Sequence, residues 1–179
     1  LGYMQSGASA LSVLTDEPFF KGKNEDHSVA REWNFCPILR KDFIISEYQI
    51  LEAISIGADV ILLIRAILTD EEIARFTKLA HSLGMEALLE LHDVDELGGL
   101  NEEADLIGVN SRSLKEMRIM EGHHEKMRSL IGSGRPLIAE SGIQSPQKAA
   151  DLNEAGYQGI LIGSHVMQQS NPVFACRQY

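Results

Sequence analysis

The run Pro37-Ile38-Leu39-Arg40-Lys41-Asp42-Phe43-Ile44 is a short apolar segment that breaks into three charged residues. Ser46-Glu47-Tyr48-Gln49 follows and reads as the capping box of a helix. The charges therefore stand where a buried strand empties into a loop, and a lysine there points into whatever cleft the strand ends build. A lysine in a partly desolvated cleft can donate a proton, and neighbouring carboxylates set its charge state. Glu90, in Leu89-Glu90-Leu91, and Glu140, after Leu137-Ile138-Ala139, close apolar runs in the same way. Lys41, Glu90 and Glu140 form an acid–base set if their strand ends meet; a structural ion-pair network is the alternative. Asn110-Ser111-Arg112 closes another run and adds an amide and a guanidinium. Ser141-Gly142 and Gly163-Ser164 suit a phosphate, because glycine admits close backbone approach and serine supplies a hydroxyl.

These residues need elements to position them. Seven apolar runs begin near residues 10, 36, 60, 87, 106, 137 and 159. Their spacing, roughly 25 residues, is that of a strand, loop, helix and loop. The runs are continuous rather than alternating, which indicates parallel strands buried on both faces. Helices read over Asp26–Trp33 and Glu47–Ile56, and from a capping box at Thr69–Glu72 through Ile73, Phe76, Leu79, Ala80 and Leu83 to the Gly84 stop. Asp93 and Glu96 open another; His124–Ile131 and a helix from Pro146 to a Gly156 stop complete the set. Asp16–Asn24 reads as a loop, and Leu114–Gly122 shows no legible pattern. Parallel β/α units in this number make either a doubly wound sheet or a closed barrel. The chain has no G-x-G-x-x-G and no P-loop. Polar residues end every run: Thr15, Arg40-Lys41-Asp42, Arg65, Glu90, Asn110-Ser111-Arg112, Glu140-Ser141 and Gly163-Ser164. A barrel gathers all such ends at one mouth, so the α/β reading is a (β/α)8 TIM barrel with seven units visible, one short of eight.

Composition bounds the function. The 179 residues make a single domain, 1–179, with 44% hydrophobic and 23% charged residues. A net charge of −10 argues against a nucleic-acid surface but admits a small anionic substrate held by local cations. The longest apolar run, Val60–Ile64, is too short to cross a membrane. Cys36 and Cys176 stand apart, without metal or redox spacing, which fits a reduced cytoplasmic setting. Several residues take bland readings. His123-His124 reads as solvated, and His92 and His165 as structural. Glu102, Glu103 and Asp105 read as an exposed helix end. Phe19-Phe20 reads as core, although a place at the mouth would allow contact with an aromatic substrate.

Six motifs, in order along nearly the whole chain, resemble indole-3-glycerol phosphate synthase. They are Gly7–Thr15 with Phe19-Phe20, Pro37–Ile44, Gly57-Ala58-Asp59 with Leu62-Leu63-Ile64, Leu89–His92, Ile107–Arg112 and Ala139–Ile143. The resemblance implies a (β/α)8 barrel enzyme of tryptophan biosynthesis, a carboxy-lyase that needs no cofactor and no metal. It would convert 1-(2-carboxyphenylamino)-1-deoxyribulose 5-phosphate to indole-3-glycerol phosphate, carbon dioxide and water. It further implies Lys41 as general acid, Glu90 as its proton-transfer partner, and Asn110 and Glu140 as orienting groups. Arg112 would hold the anthranilate end. Phe20, Phe43, Leu62 and Ile64 would wall the aromatic pocket, and Ser141, Gly163 and Ser164 would contact phosphate. The chain begins at Leu1, and the resemblance supplies no counterpart for the family's first strand, so an N-terminally incomplete chain with little turnover of its own is the expectation. Arg65 and the Met117–His124 loop depart from the family pattern. A phosphosugar isomerase barrel is the alternative enzyme. An inactive scaffold, self-associating through open sheet edges, is the alternative without chemistry.

Overall fold

A computed structural model describes residues 1–99, 103–132 and 134–179. Helix α1 (Gly2–Gln5) leads into β1 (Leu11–Leu14). Next come α2 (Glu17–Phe20), α3 (Asn24–Trp33), β2 (Ile38–Lys41), α4 (Glu47–Ser55) and β3 (Val60–Ile64). Then follow α5 (Asp70–Ser82), β4 (Glu86–Leu91), β5 (Leu106–Asn110), α6 (His123–Leu130) and β6 (Leu137–Glu140). The described chain closes with α7 (Pro146–Glu154), β7 (Gly159–Leu161), α8 (Ser164–Met167) and α9 (Pro172–Cys176). The strands form one parallel sheet in the order β1-β2-β3-β4-β5-β6-β7.

The sheet curls into a nearly closed barrel. Lys41 on β2 bonds Glu140 on β6 at 2.9 Å, across four strand spacings. In a flat sheet those strands would stand roughly 19 Å apart, so only curling brings the groups together. β1 and β7 remain the two ends of the sheet, while the outer helix layer bridges them: the Ser6 hydroxyl after α1 donates to the Val173 carbonyl of α9 at 2.9 Å.

Strand alternation sorts the side chains into two shells. Leu39, Val60, Leu62, Ile64 and Leu88 fill the barrel interior, with Leu106, Ile138 and Leu161 against them. The intervening residues, among them Ile61, Leu63, Leu89, Leu91, Ile107, Val109 and Ala139, pack outward under the helices with Ile73, Phe76 and Leu152. Lys41, Glu90, Asn110 and Glu140 continue the inward rows of Leu39, Leu88, Leu106 and Ile138 by two or four residues. Parity alone therefore aims them at the mouth.

Several local readings need correction. Asp16–Asn24 is not all loop: the Asp16 carboxylate caps α2 by accepting from the Phe19 and Phe20 backbone N–H groups. Four residues are too few to show a helical period. The Ser46 side chain makes no N-cap bond; Gln49 instead stitches the loop, its Oε1 accepting from Ile45 N–H at 2.9 Å and its Nε2 donating to the Phe43 carbonyl at 2.9 Å. The box at Thr69 and Glu72 does form. Asp93 and Glu96 lead into a 3-10 segment, Val94–Gly99. Asp105 is no free helix end: its carboxylate accepts from Ala87 N–H and pairs with His81, both at 2.8 Å. Glu102 lies outside the described residues.

Arg40 and Asp42 alternate with Lys41 and so turn outward, away from the mouth. The Arg40 guanidinium meets Asp42 at 3.0 Å, Glu52 at 2.6 Å, the Gln49 carbonyl at 2.8 Å and the Thr15 hydroxyl at 3.1 Å. Thr15 in turn donates to Asp42 at 2.7 Å. This buried network pins the end of β2 to β1 and α4. Arg40→Ala should destabilise the fold by about 3 kcal/mol in urea unfolding, because it strands the Asp42 carboxylate in the interior.

Candidate active site

Lys41 Nζ lies 3.0 Å from Glu90 Oε2 and 2.9 Å from Glu140 Oε2. The Lys41 side chain is 21% exposed, against 3% for Glu90 and 1% for Glu140. The lysine thus faces the mouth and the carboxylates back it. Three ionisable groups in so dry a place cannot all carry full charge without strain, because two anions share one cation. Burial pushes the Glu140 carboxyl up to about 8, and the adjacent Glu90 charge adds to this against the pull of Lys41. Burial also works against the Glu90 anion, but the Lys41 ammonium and His92 outweigh it and hold Glu90 well below the usual carboxylate range. Lys41 is held above the usual lysine range: burial opposes its charge, and Glu140 and Glu90 overcome that. The shifts favour an ammonium on Lys41, an ionised Glu90 and the protonated form of Glu140.

Two histidines support this set. His92 Nε2 stands 3.1 Å from Glu90 Oε1, on the oxygen that Lys41 does not use. The Glu140 carbonyl contacts His124 Nε2 at 3.1 Å and accepts from the Ser111 backbone N–H at 3.0 Å. His124 is fixed by Tyr157, whose hydroxyl donates to the His124 carbonyl at 2.8 Å. The expectation that His123-His124 is solvated is therefore wrong: both rings are buried, and burial lowers the pKa of each. Their place at the start of an amphipathic helix would have signalled this, since positions 123, 124 and 127 share its inner face.

The other site candidates divide by place. Asn110 is buried at the end of β5, pairs with Glu140 across the sheet, and its Oδ1 accepts from Arg112 N–H at 3.0 Å. Arg112 is half-buried on the loop that follows, in an antiparallel bridge with Ile119. That bridge orders part of the Leu114–Gly122 stretch. Phe20 stacks on Phe43 with ring centroids 5.8 Å apart, and Phe19 meets Phe43 edge-on at 5.6 Å. Phe19 and Phe20 are exposed, so they belong to the rim rather than to the core. Leu62 and Ile64 lie beneath, in the barrel interior, where Phe43 packs on the same cluster. Ser141 adopts the left-handed region at φ 64, followed by Gly142 at φ 71. Such a conformation costs a serine about 1–2 kcal/mol. Gly163 and Ser164 are exposed just beyond β7, whose Leu161 pairs with Glu140. The two serine–glycine pairs thus stand on adjacent strand ends. Thr15, Arg40, Asp42 and Arg65 do not join the site. Arg65 donates to the Leu68 carbonyl at 2.8 Å and pairs with Asp70 at 2.7 Å, which closes its own turn.

Comparison with known proteins decides the lineage. The family model described as indole-3-glycerol phosphate synthase matches residues 1–179. The chain belongs to the indole-3-glycerol phosphate synthase family. An indole-3-glycerol phosphate synthase of Campylobacter hominis is 42% identical over 177 residues, covering 98% of this chain and 68% of the relative. One from Bacteroides thetaiotaomicron is 42% identical over 170 residues, covering 95% of this chain and 65% of the relative. The chain thus spans about two thirds of the length of these curated relatives. Among solved structures, 3-hexulose-6-phosphate synthase from Salmonella typhimurium superposes with a TM-score of 0.77 at 16% identity, covering 93% of this chain and 83% of that one. The tryptophan synthase α subunit of Legionella pneumophila gives 0.69 at 16% identity, covering 98% and 80%. At such identity these two likenesses establish the barrel fold alone.

The charge state of Glu140 has a measurable consequence. The folded carboxyl keeps its proton to about 8, whereas the unfolded chain releases it near 4.5. Between those values unfolding releases a proton, so raising the pH favours unfolding. Glu140→Gln should flatten this slope: in urea melts between about pH 5 and about pH 9 the wild type should lose more stability than the variant.

Proposed function

We propose that this site carries out the family's ring closure. The substrate is 1-(2-carboxyphenylamino)-1-deoxyribulose 5-phosphate, and the products are indole-3-glycerol phosphate, carbon dioxide and water. The observation that carries the reading is the Lys41 ammonium bridging Glu90 and Glu140 at the mouth of a family member's barrel. Attack of the aromatic ring on the ribulose carbonyl places negative charge on the carbonyl oxygen. Lys41, charged and nearest the solvent side, supplies the proton there as general acid. Loss of the carboxylate as carbon dioxide restores a neutral ring system. Dehydration then needs a base to take a proton and an acid to protonate the departing hydroxyl so that it leaves as water; ionised Glu90 fits the first part and Lys41, reprotonated from solvent, the second.

The remaining roles are those that the family resemblance implies, and the places of the residues support them. Asn110 and Glu140 orient the sugar hydroxyls and the lysine. Arg112 offers a cation to the carboxylate that is lost. Phe20 and Phe43 hold the aromatic ring over the Leu62 and Ile64 floor. Ser141, Gly163 and Ser164 take the phosphate. Free Cys36 and Cys176, and the absence among the described residues of a helix able to cross a membrane, agree with a cytoplasmic biosynthetic role. Among the described residues β1 and β7 each pair on one side only; such edges favour self-association, which size-exclusion chromatography over a concentration series would read, and a monomer throughout would sink that part.

Lys41→Ala should lower kcat by roughly 10²–10⁴-fold with KM little changed, because the lost interaction forms in the transition state. The assay is indole fluorescence on the ribulose 5-phosphate substrate. A change confined to KM would make Lys41 a binding group, and turnover of a phosphosugar isomer pair in place of indole formation would replace the reading altogether.

A further inference from the structure

We propose that Gly108 is a positioning residue: its missing side chain is the slot into which the Glu140 carboxyl folds to reach Lys41. Gly108 lies in mid-strand on β5, in the inward row of Leu106 and Asn110. Its partners across the sheet are Glu90 on β4 and Ile138 on β6. Glu140 stands one inward step closer to the mouth, opposite Asn110. Its side chain nevertheless leans back over Gly108. A Cβ built on Gly108 would overlap Glu140 Oε1 and lie 3.3 Å from Glu140 Cδ and 3.4 Å from Leu88 Cδ1. With Oε1 in that slot, Oε2 reaches Lys41 Nζ at 2.9 Å. Oε1 itself is buried and has no hydrogen-bond partner among the described residues. The slot therefore satisfies the shape of the carboxyl rather than its polarity.

The backbone does not ask for glycine here. Gly108 is absent from the residues with positive φ, so alanine fits its conformation. Glycine inside a strand is destabilising relative to alanine, and such a glycine marks close approach of another group. The approaching group is the far end of a flexible side chain. An alanine would therefore evict the carboxyl rather than break the sheet. Lys41 would be left with Glu90 alone, and Glu140 would be driven toward the solvent side of the mouth.

The test is Gly108→Ala, alone and combined with Glu140→Ala. The kinetic arm rests on the synthase reading above; the titration arm does not. In ¹³C NMR of glutamate-labelled protein, with the Glu140 signal assigned by its loss in Glu140→Gln, Gly108→Ala should shift the Glu140 titration downward, toward an exposed carboxylate. The groups facing that carboxyl are Lys41 and Glu90, so the Glu90 signal should move with it. In turnover, Gly108→Ala should lower kcat at least about tenfold with KM within about twofold, and should add less than about twofold once Glu140 is alanine, because no carboxyl remains to displace. An unchanged Glu140 titration, or an equal loss in both backgrounds, overturns the inference. If the single variant is too unstable to assay, adding Glu140→Ala should restore its thermal midpoint, and no restoration also overturns it. A shifted titration in a protein without indole formation would leave the slot standing and remove the synthase reading.

Discussion

One ammonium between two buried carboxylates sets the terms for the rest of this molecule. Two carboxyls held so close in a dry barrel repel, and each loses most of its hydration. Lys41 offsets that for Glu90, while burial and the Glu90 charge raise the Glu140 pKa and favour its protonated form. The cluster exists only because β2, β4 and β6 bring their ends together, which requires the curled sheet. Its geometry in turn requires that all three side chains lie in the inward rows of their strands.

The surroundings hold these three side chains from behind. On the outer face of β2, Arg40 ties Asp42, Glu52 and Thr15 together, so the backbone that carries Lys41 has little freedom. Behind β6, the His124 ring and the Ser111 N–H hold the Glu140 carbonyl, and Tyr157 holds His124. His92 meets the free oxygen of Glu90. The three side chains of the cluster are thus held by polar contacts that do not themselves face the mouth. Each contact is short and dry, where electrostatic attraction is strongest. The aromatic rim is built differently: Phe19 and Phe20 remain at the surface and meet the half-buried Phe43, which packs on the barrel interior.

The legibility of the chain follows the range of the interactions. The seven strands were plain because each is a run of apolar residues, and the helices of α4, α5 and α7 because their spacing and stops are local. Short elements were opaque: α2 rests on one aspartate cap, and the 112–119 bridge on a loop without periodicity. The burial of His123 and His124 is not legible in the residue types themselves, because a histidine's burial depends on what packs over it, here β6 and Tyr157. Thr15, Arg40, Asp42 and Arg65 ended apolar runs as convincingly as Lys41 did. Which of these faced the mouth was a matter of strand parity and of partners many residues distant.

By itself the sequence determined the parallel α/β repeat, the family, and the identity of Lys41, Glu90 and Glu140 as charged ends of buried strands. These depend on composition and on patterns a few residues long, which the chain carries wherever it folds. Only the tertiary structure decided that the three meet within hydrogen-bonding distance, that burial raises the Glu140 pKa, and that the Gly108 position is vacant for its carboxyl. Proximity across 49 and 99 residues of chain, and the loss of water that goes with it, arise when the sheet closes around them.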